Sequence, residues 1–106
     1  MARYLFIVNY SPEGAKGVLQ DGGTARRAAA EALANSVGAT IESFDFAFGS
    51  DDAYIIVESP SPEAIVSVSL TLAASGAGSG RAIPLLTPEQ VDAATKLSPA
   101  YRPPGA

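Results

Sequence analysis

Residues 4–13, Tyr-Leu-Phe-Ile-Val-Asn-Tyr-Ser-Pro-Glu, decide the fold because they join a strand directly to a helix start. The apolar part is rich in aromatic and β-branched side chains, which favour an extended strand. In the Ser-Pro-Glu that follows, the hydroxyl can cap free backbone N–H groups, proline suits the first helical position, and the acid suits the positive end of the helix dipole. The stretch therefore predicts a strand over residues 3–10 and a helix start after Ser11.

The Ser/Thr-Pro-Glu tripeptide occurs three times, at Ser11, Ser61 and Thr87, each time after an apolar strand. Gln90 adds a capping box to the third copy. Further strands are predicted over residues 39–48, 53–58 and 81–86. The element order is then β-α-β-β-α-β plus a short C-terminal helix. This order predicts an α+β, ferredoxin-like fold, with a four-stranded antiparallel sheet and its helices on one face.

Glycines and prolines mark the boundaries within this order. Residues 21–23, Asp-Gly-Gly, are expected to break the first helix, and Gly38 to end it with a positive φ. Residues 76–80 are glycine-rich but follow a helix and precede a strand, so we interpret them as a linker and not a phosphate loop. The ferredoxin-like domain should span residues 1–97, and a loosely ordered proline-rich tail residues 98–106.

Composition narrows the function classes. The chain has 106 residues, enough for one domain, and contains neither cysteine nor histidine. We therefore predict no disulfide, no metal site, no cofactor and a cytoplasmic location. A net charge of −4 without a basic stripe argues against nucleic-acid binding. The N-terminal apolar run is too short for a signal sequence or a membrane span, so we expect a soluble protein.

The strands are apolar on both sides. In the first strand, Tyr4, Phe6 and Val8 alternate with Leu5 and Ile7, and the third strand repeats this pattern. Helices on one face leave the other face bare, and isolated subunits rarely expose so large an apolar patch. We expect a homodimer or higher oligomer that covers it.

Several segments resemble the GYD-domain family, which is part of the dimeric α/β-barrel group of ferredoxin-like folds. The opening strand with its Asn9-Tyr10-Ser11 ending, the segment 56–60 and the helix start 87–90 are similar to the family, and residues 48–52 fall at its naming motif. Asp51 stands where the family usually has tyrosine. The resemblance implies a dimeric barrel but assigns no reaction. Relatives in the wider group include cofactor-free oxygenases, isomerases and haem proteins, and the haem proteins usually need a histidine that this chain lacks.

Polar residues on or ending the strands are the candidate ligand-binding side chains: Asn9, Tyr10, Asp45, Asp52, Tyr54 and Arg81. Asp45 is expected in mid-strand, on the side of Ile41 and opposite Phe44, Phe46 and Phe48. It is either an acid or base with a perturbed pKa or an exposed charge that blocks strand addition at an edge.

Other polar and aromatic residues favour structural interpretations. Asp51 and Asp52 favour a turn in which they bond their own backbone, because a cation site needs more converging oxygens. Tyr10 and Tyr54 either line a cavity or pack in the core. Arg26 and Arg27 favour a solvated helix face.

Two main hypotheses about function remain, and a third, a regulatory ligand sensor, would look identical from the sequence. The first is a non-catalytic oligomeric domain that serves as an assembly module or binds a small apolar molecule. The alternative, suggested by the resemblance, is a cofactor-independent enzyme, monooxygenase- or isomerase-like, that uses Asp45 or Tyr54 as its acid or base. An enclosed cavity between the helices and the sheet, or inside the dimer barrel, that is lined by two or more of Asn9, Asp45, Tyr54 and Arg81 would favour the enzyme.

Overall fold

A computed structural model describes all 106 residues and confirms the predicted element order. The elements are β1 (Ala2–Tyr10), α1 (Pro12–Asn35), β2 (Thr40–Phe46), β3 (Ala53–Ser59), α2 (Pro62–Ser75), β4 (Gly78–Leu85) and α3 (Pro88–Thr95). The four strands form one antiparallel sheet in the order β2-β3-β1-β4. The fold is thus the α+β ferredoxin-like arrangement that the sequence predicts.

The core lies between the sheet and the two longer helices. Phe6 of β1 lies in register with Ile55 of β3 and Ala82 of β4, and these side chains face α1 and α2. Because strand side chains alternate, Leu5 and Ile7 point to the opposite side of the sheet. We call this second side the open face, since neither α1 nor α2 covers it.

The three Ser/Thr-Pro-Glu tripeptides all begin helices, as predicted. Ser11 accepts a hydrogen bond from the Gly14 backbone N–H at 3.1 Å, and Ser61 caps α2 in the same way. At α3, Thr87 and Gln90 form a full capping box, with the Gln90 side chain accepting from the Thr87 N–H at 2.8 Å. These caps satisfy N–H groups that have no partner within the helix.

Glycine conformation sets the path of α1. Gly22 has φ 82° and ψ 168°, so α1 consists of two helical segments that meet at the predicted break. Gly38, two residues beyond the C-cap, has φ 79° and turns the chain towards β2. Both positions are costly for residues with a Cβ atom.

The register of β2 corrects one expectation about Asp45. A bulge at Glu42 shifts the pairing between Ile41 and Ser43. One extra residue moves all preceding side chains to the other face of the sheet. Ile41 therefore packs against the core, while Asp45 lies on the open face.

The phenylalanine stripe of β2 is shorter than predicted. Phe44 and Phe46 pack against the core, but Phe48 lies beyond the strand with φ 53° and is 63 % exposed. Its ring stacks on Phe46 with a centroid distance of 5.7 Å. The chain turns before Phe48 can continue the strand period.

The glycine-rich segment also differs from the prediction, because β4 already begins at Gly78 and the linker is correspondingly short. Gly80 lies within the strand, and a Cβ there would come within 2.4 Å of the Phe6 ring. The glycine is required by close packing against an aromatic ring and not by a flexible loop.

The C-terminal arm, residues 86–106, projects from the rest of the domain. Every residue in it is exposed, including Leu86, Val91, Leu97 and Tyr101. The radius of gyration is 17.0 Å, whereas a compact chain of this length has about 13 Å. None of the helices has the length and apolar character needed to cross a membrane.

Candidate functional site

A polar cluster on the open face joins three side chains around Asp51. The Asn9 amide donates to Asp51 Oδ1 at 2.9 Å. The Tyr54 hydroxyl and Arg81 Nη2 both donate to Asp51 Oδ2, each at 3.1 Å. Three of the predicted candidates, Asn9, Tyr54 and Arg81, therefore come together.

This Asp51 cluster spans the central strand. Tyr54 on β3 and Arg81 on β4 lie on either side of Ile7 in the register of the sheet. Because both donate to the same Asp51 oxygen, the bridge crosses above the Ile7 side chain. This explains why Ile7 is only 4 % exposed on a face that has no helix.

The other predicted candidates lie apart from this cluster. Asp52 accepts a hydrogen bond from the Tyr10 backbone N–H at 2.8 Å, and its own N–H donates to Val8 O at 2.9 Å. These bonds fasten the end of β1 to the turn before β3. Asp45 is exposed opposite Tyr54 on edge strand β2 and makes no hydrogen bond through its side chain.

A second candidate site lies on the other side of the sheet, where a cavity of about 90 Å³ separates α1 and α2 from the strands. Its lining is apolar except for Arg26 and the Tyr10 hydroxyl. The α1 side contributes mainly the short side chains of Ala29, Ala30 and Ala34. These leave space that a row of leucines would fill, so the alanine-rich helix is the source of the cavity.

The sequence model of the GYD domain matches residues 4–95, which extend from within β1 to the end of α3. The chain belongs to the GYD-domain family. No curated protein and no solved structure matches it significantly. The family match confirms the resemblance found in the opening strand, the 48–52 segment and the third helix start.

In this GYD domain, the Asp51 cluster is built on the 48–52 segment, which resembles the naming motif of the family. The resemblance expects tyrosine at this position, and here a carboxylate accepts from an amide, a phenol and a guanidinium. The expectation that Asp51 bonds its own backbone was therefore wrong. The adjacent acids were a visible signal, but their partners follow from the pairing of three strands.

The electrostatics of the Asp51 cluster favour fixed protonation states. The hydrogen bond from Asn9 is the largest effect and lowers the pKa of Asp51. The hydrogen bond from Tyr54 and the charge of Arg81 lower this pKa further, and partial burial opposes them. The bond to Asp51 raises the pKa of Tyr54. Asp51 is thus a carboxylate and Tyr54 a phenol at neutral pH, whereas a general base works best with a pKa near the working pH.

The chemistry of the Asp51 cluster suits structure better than cation binding. Nowhere do three or more Asp or Glu side chains converge as ligands for a metal ion. Both Asp51 oxygens already accept hydrogen bonds from protein donors. The cluster holds strands β1, β3 and β4 in register at one end of the open face.

Arg26 is the residue that sequence reasoning missed. It is half-buried and lines the cavity, whereas Arg27 is exposed and lies 3.6 Å from Glu31 on the outer face of α1. The signal that could have placed Arg26 at the cavity was its spacing from the apolar residues of α1. Arg26 precedes Ala29 by three residues and Leu33 by seven, so it shares their inward face.

Proposed function

We propose that this GYD domain functions as a homodimeric, cytoplasmic binding subunit. Two copies pack open face to open face, and each binds a small, mostly apolar molecule in the cavity beneath its helices. One observation carries the proposal: the helices cover only one side of the sheet and leave a cavity there, while the other side carries an uncovered apolar row of Leu5, Ile56 and Ile83. The lack of cysteine supports a reducing compartment, and the negative charge of −4 supports partners other than nucleic acid.

The open face has the side chains of an interface. Leu5, Ile56 and Ile83 lie in adjacent register positions across its centre, and Ile83 is 43 % exposed. Charged residues flank this apolar row: Arg3 bonds Glu42 at 2.7 Å, Asp51 bonds Arg81, and Asp45 lies exposed on edge strand β2. An apolar centre with paired charges at the rim is the usual anatomy of a stable interface.

The C-terminal arm adds contact area that the sheet alone lacks. Four strands of about seven residues cover about 19 × 23 Å, or about 440 Å² in projection. A standard interface buries about 800 Å² from each partner. The arm begins directly after β4 and exposes Leu86, Val91, Leu97 and Tyr101. We propose that it packs on the second copy and supplies the remaining area.

Ligand binding is favoured over catalysis by the lining of the cavity. Of the predicted candidates, only Tyr10 lines it, and Asn9, Asp45, Tyr54 and Arg81 do not. An acid or base that cannot reach a bound molecule cannot act on it. The cavity therefore supports the binding hypothesis and contains neither Asp45 nor Tyr54, the acid or base of the enzyme alternative.

Sedimentation velocity at micromolar concentration tests the dimer. The wild-type chain should sediment at about twice its mass of 10.8 kDa. Ile83→Glu should dissociate it, because the charge would be buried in the apolar row of the interface. Val66→Glu is the matched control, since Val66 is 54 % exposed on the outer side of α2. A wild-type monomer, or a dimer broken only by Val66→Glu, would contradict the proposed interface.

A further inference from the structure

The cavity is bordered by one charged group, Arg26, that has no acidic partner in the chain. The lining consists of apolar side chains, Tyr10 and Arg26. Arg26 forms no salt bridge, although the neighbouring Arg27 pairs with Glu31. Arg26 is half-buried as a residue, and a guanidinium that borders an apolar space is costly unless an anion or a strong acceptor satisfies it.

Tyr10 and Arg26 act at the same end of the cavity. Tyr10 is the last residue of β1. Burial raises the pKa of its hydroxyl, so the hydroxyl stays protonated at neutral pH, while the charge of Arg26 and a hydrogen bond from its guanidinium act in the opposite direction. The Tyr10 O–H and the remaining Arg26 N–H groups are then the donors at this end of the cavity, and the rest of the lining offers no polar side-chain atom.

We propose that the ligand is a small monocarboxylic acid, with its apolar body in the cavity and its carboxylate bound by Arg26 and the Tyr10 hydroxyl. This inference rests on the proposed binding function and specifies its ligand class. A guanidinium binds carboxylates through charge-assisted hydrogen bonds, and a phenol adds a further donor. Neither donor selects for a neutral hydrocarbon.

The volume limits the apolar body. A cavity of 150 Å³ lined by apolar side chains holds benzene. The cavity here is about 90 Å³, so it suits a chain of about four carbon atoms better than an aromatic ring. Pentanoate has this size, and pentanamide is its neutral isostere.

The test is an NMR titration of ¹⁵N-labelled protein with pentanoate and pentanamide at neutral pH. Pentanoate should bind the wild-type protein about 10- to 100-fold more tightly than pentanamide, as expected for hydrogen bonds to a charged group. The shifted amides should belong to the residues lining the cavity. This comparison needs no variant, so it stands even where a substitution impairs folding.

Arg26→Met keeps the aliphatic stem and removes the charge, and Arg27→Met on the outer face is its matched control. Arg26→Met should erase the preference for pentanoate and leave pentanamide binding within about threefold. Arg27→Met should retain the preference. Equal binding of acid and amide to the wild-type protein would overturn the acid ligand but not the cavity. No binding of either probe at millimolar concentration would overturn the binding function itself.

Discussion

Filling the cavity should stabilise the protein, although most core substitutions destabilise. Ala30 lines the cavity from α1, and replacing it by leucine adds three carbon atoms to that space. A cavity of about 90 Å³ costs about 2 kcal/mol at about 24 cal/mol per Å³. Burying three methylene-sized groups at about 0.8 kcal/mol each gives about 2.4 kcal/mol. The two free energies agree, which indicates that the three carbon atoms added by leucine have about the volume of the cavity.

Part of this gain will be lost to imperfect fit, so the expected net stabilisation of Ala30→Leu is about 1–2 kcal/mol. With a urea m-value of about 2 kcal/mol/M, the unfolding midpoint should rise by about 0.5–1 M. Circular dichroism during urea titration measures it. The same variant should lose pentanoate binding, since the leucine occupies the space of the ligand's body.

Ala28→Leu is the control for Ala30→Leu. Ala28 is exposed on the same helix and lies outside the cavity lining, so the variant shares the small difference in helix propensity but fills nothing. Its midpoint should stay near that of the wild type. If Ala30→Leu were less stable than Ala28→Leu, the space beneath α1 would not exist in solution and the ligand site would be refuted with it.

Two further predictions concern the sheet. Gly80→Ala should destabilise the protein by about 1–3 kcal/mol, because its Cβ would lie 2.4 Å from the buried Phe6 ring. Gly17→Ala is the control in α1 and should stabilise the protein by about 0.5–1 kcal/mol, because the space around Gly17 is open. Urea midpoints of the two variants that shift in the same direction would contradict this packing. The lowered pKa of Asp51 means that its stabilising effect is complete above the ordinary Asp pKa of about 3.9 and is lost as the pH falls through the lower folded value. Asp51→Asn should therefore lose less stability than the wild type on acidification from about pH 7 to about pH 3. Asp45→Asn is the control, at an exposed position without hydrogen bonds, and should follow the wild type. Equal losses of stability on acidification in all three proteins would show that the Asp51 cluster contributes nothing.

Much of the fold was predictable because its signals are local. The three helix starts depend on residues adjacent in the chain, and Ser11, Ser61 and Thr87 each cap their own helix. The break at Gly22 is equally local, since a positive φ there needs only the missing Cβ. Strand order then follows from connection rules, which allow few arrangements for this sequence of elements.

The predictions that were wrong concern contacts between strands that are far apart in the sequence, where a single residue can change the pairing. The bulge at Glu42 has no strong local signature, yet it moves Ile41 from the side of Asp45 to the core. Asp51 was placed in a turn correctly, but its partners on β1, β3 and β4 depend on the register of three strands at once. Register is determined by the whole sheet and cannot be read from a turn.

The cavity was hidden from sequence reasoning for a different reason. Alanine is the best helix former, so a run of alanines in α1 predicts a stable helix and conceals the volume that it leaves empty. Because the sheet opposite carries large side chains such as Phe6 and Phe44, the helix cannot approach closely enough to close the gap. Arg26 borders this gap without a salt-bridge partner. A sequence selected only for a rigid core would have leucine at the position of Ala30. The stabilisation expected for Ala30→Leu therefore measures how much the cavity lowers the free energy of unfolding.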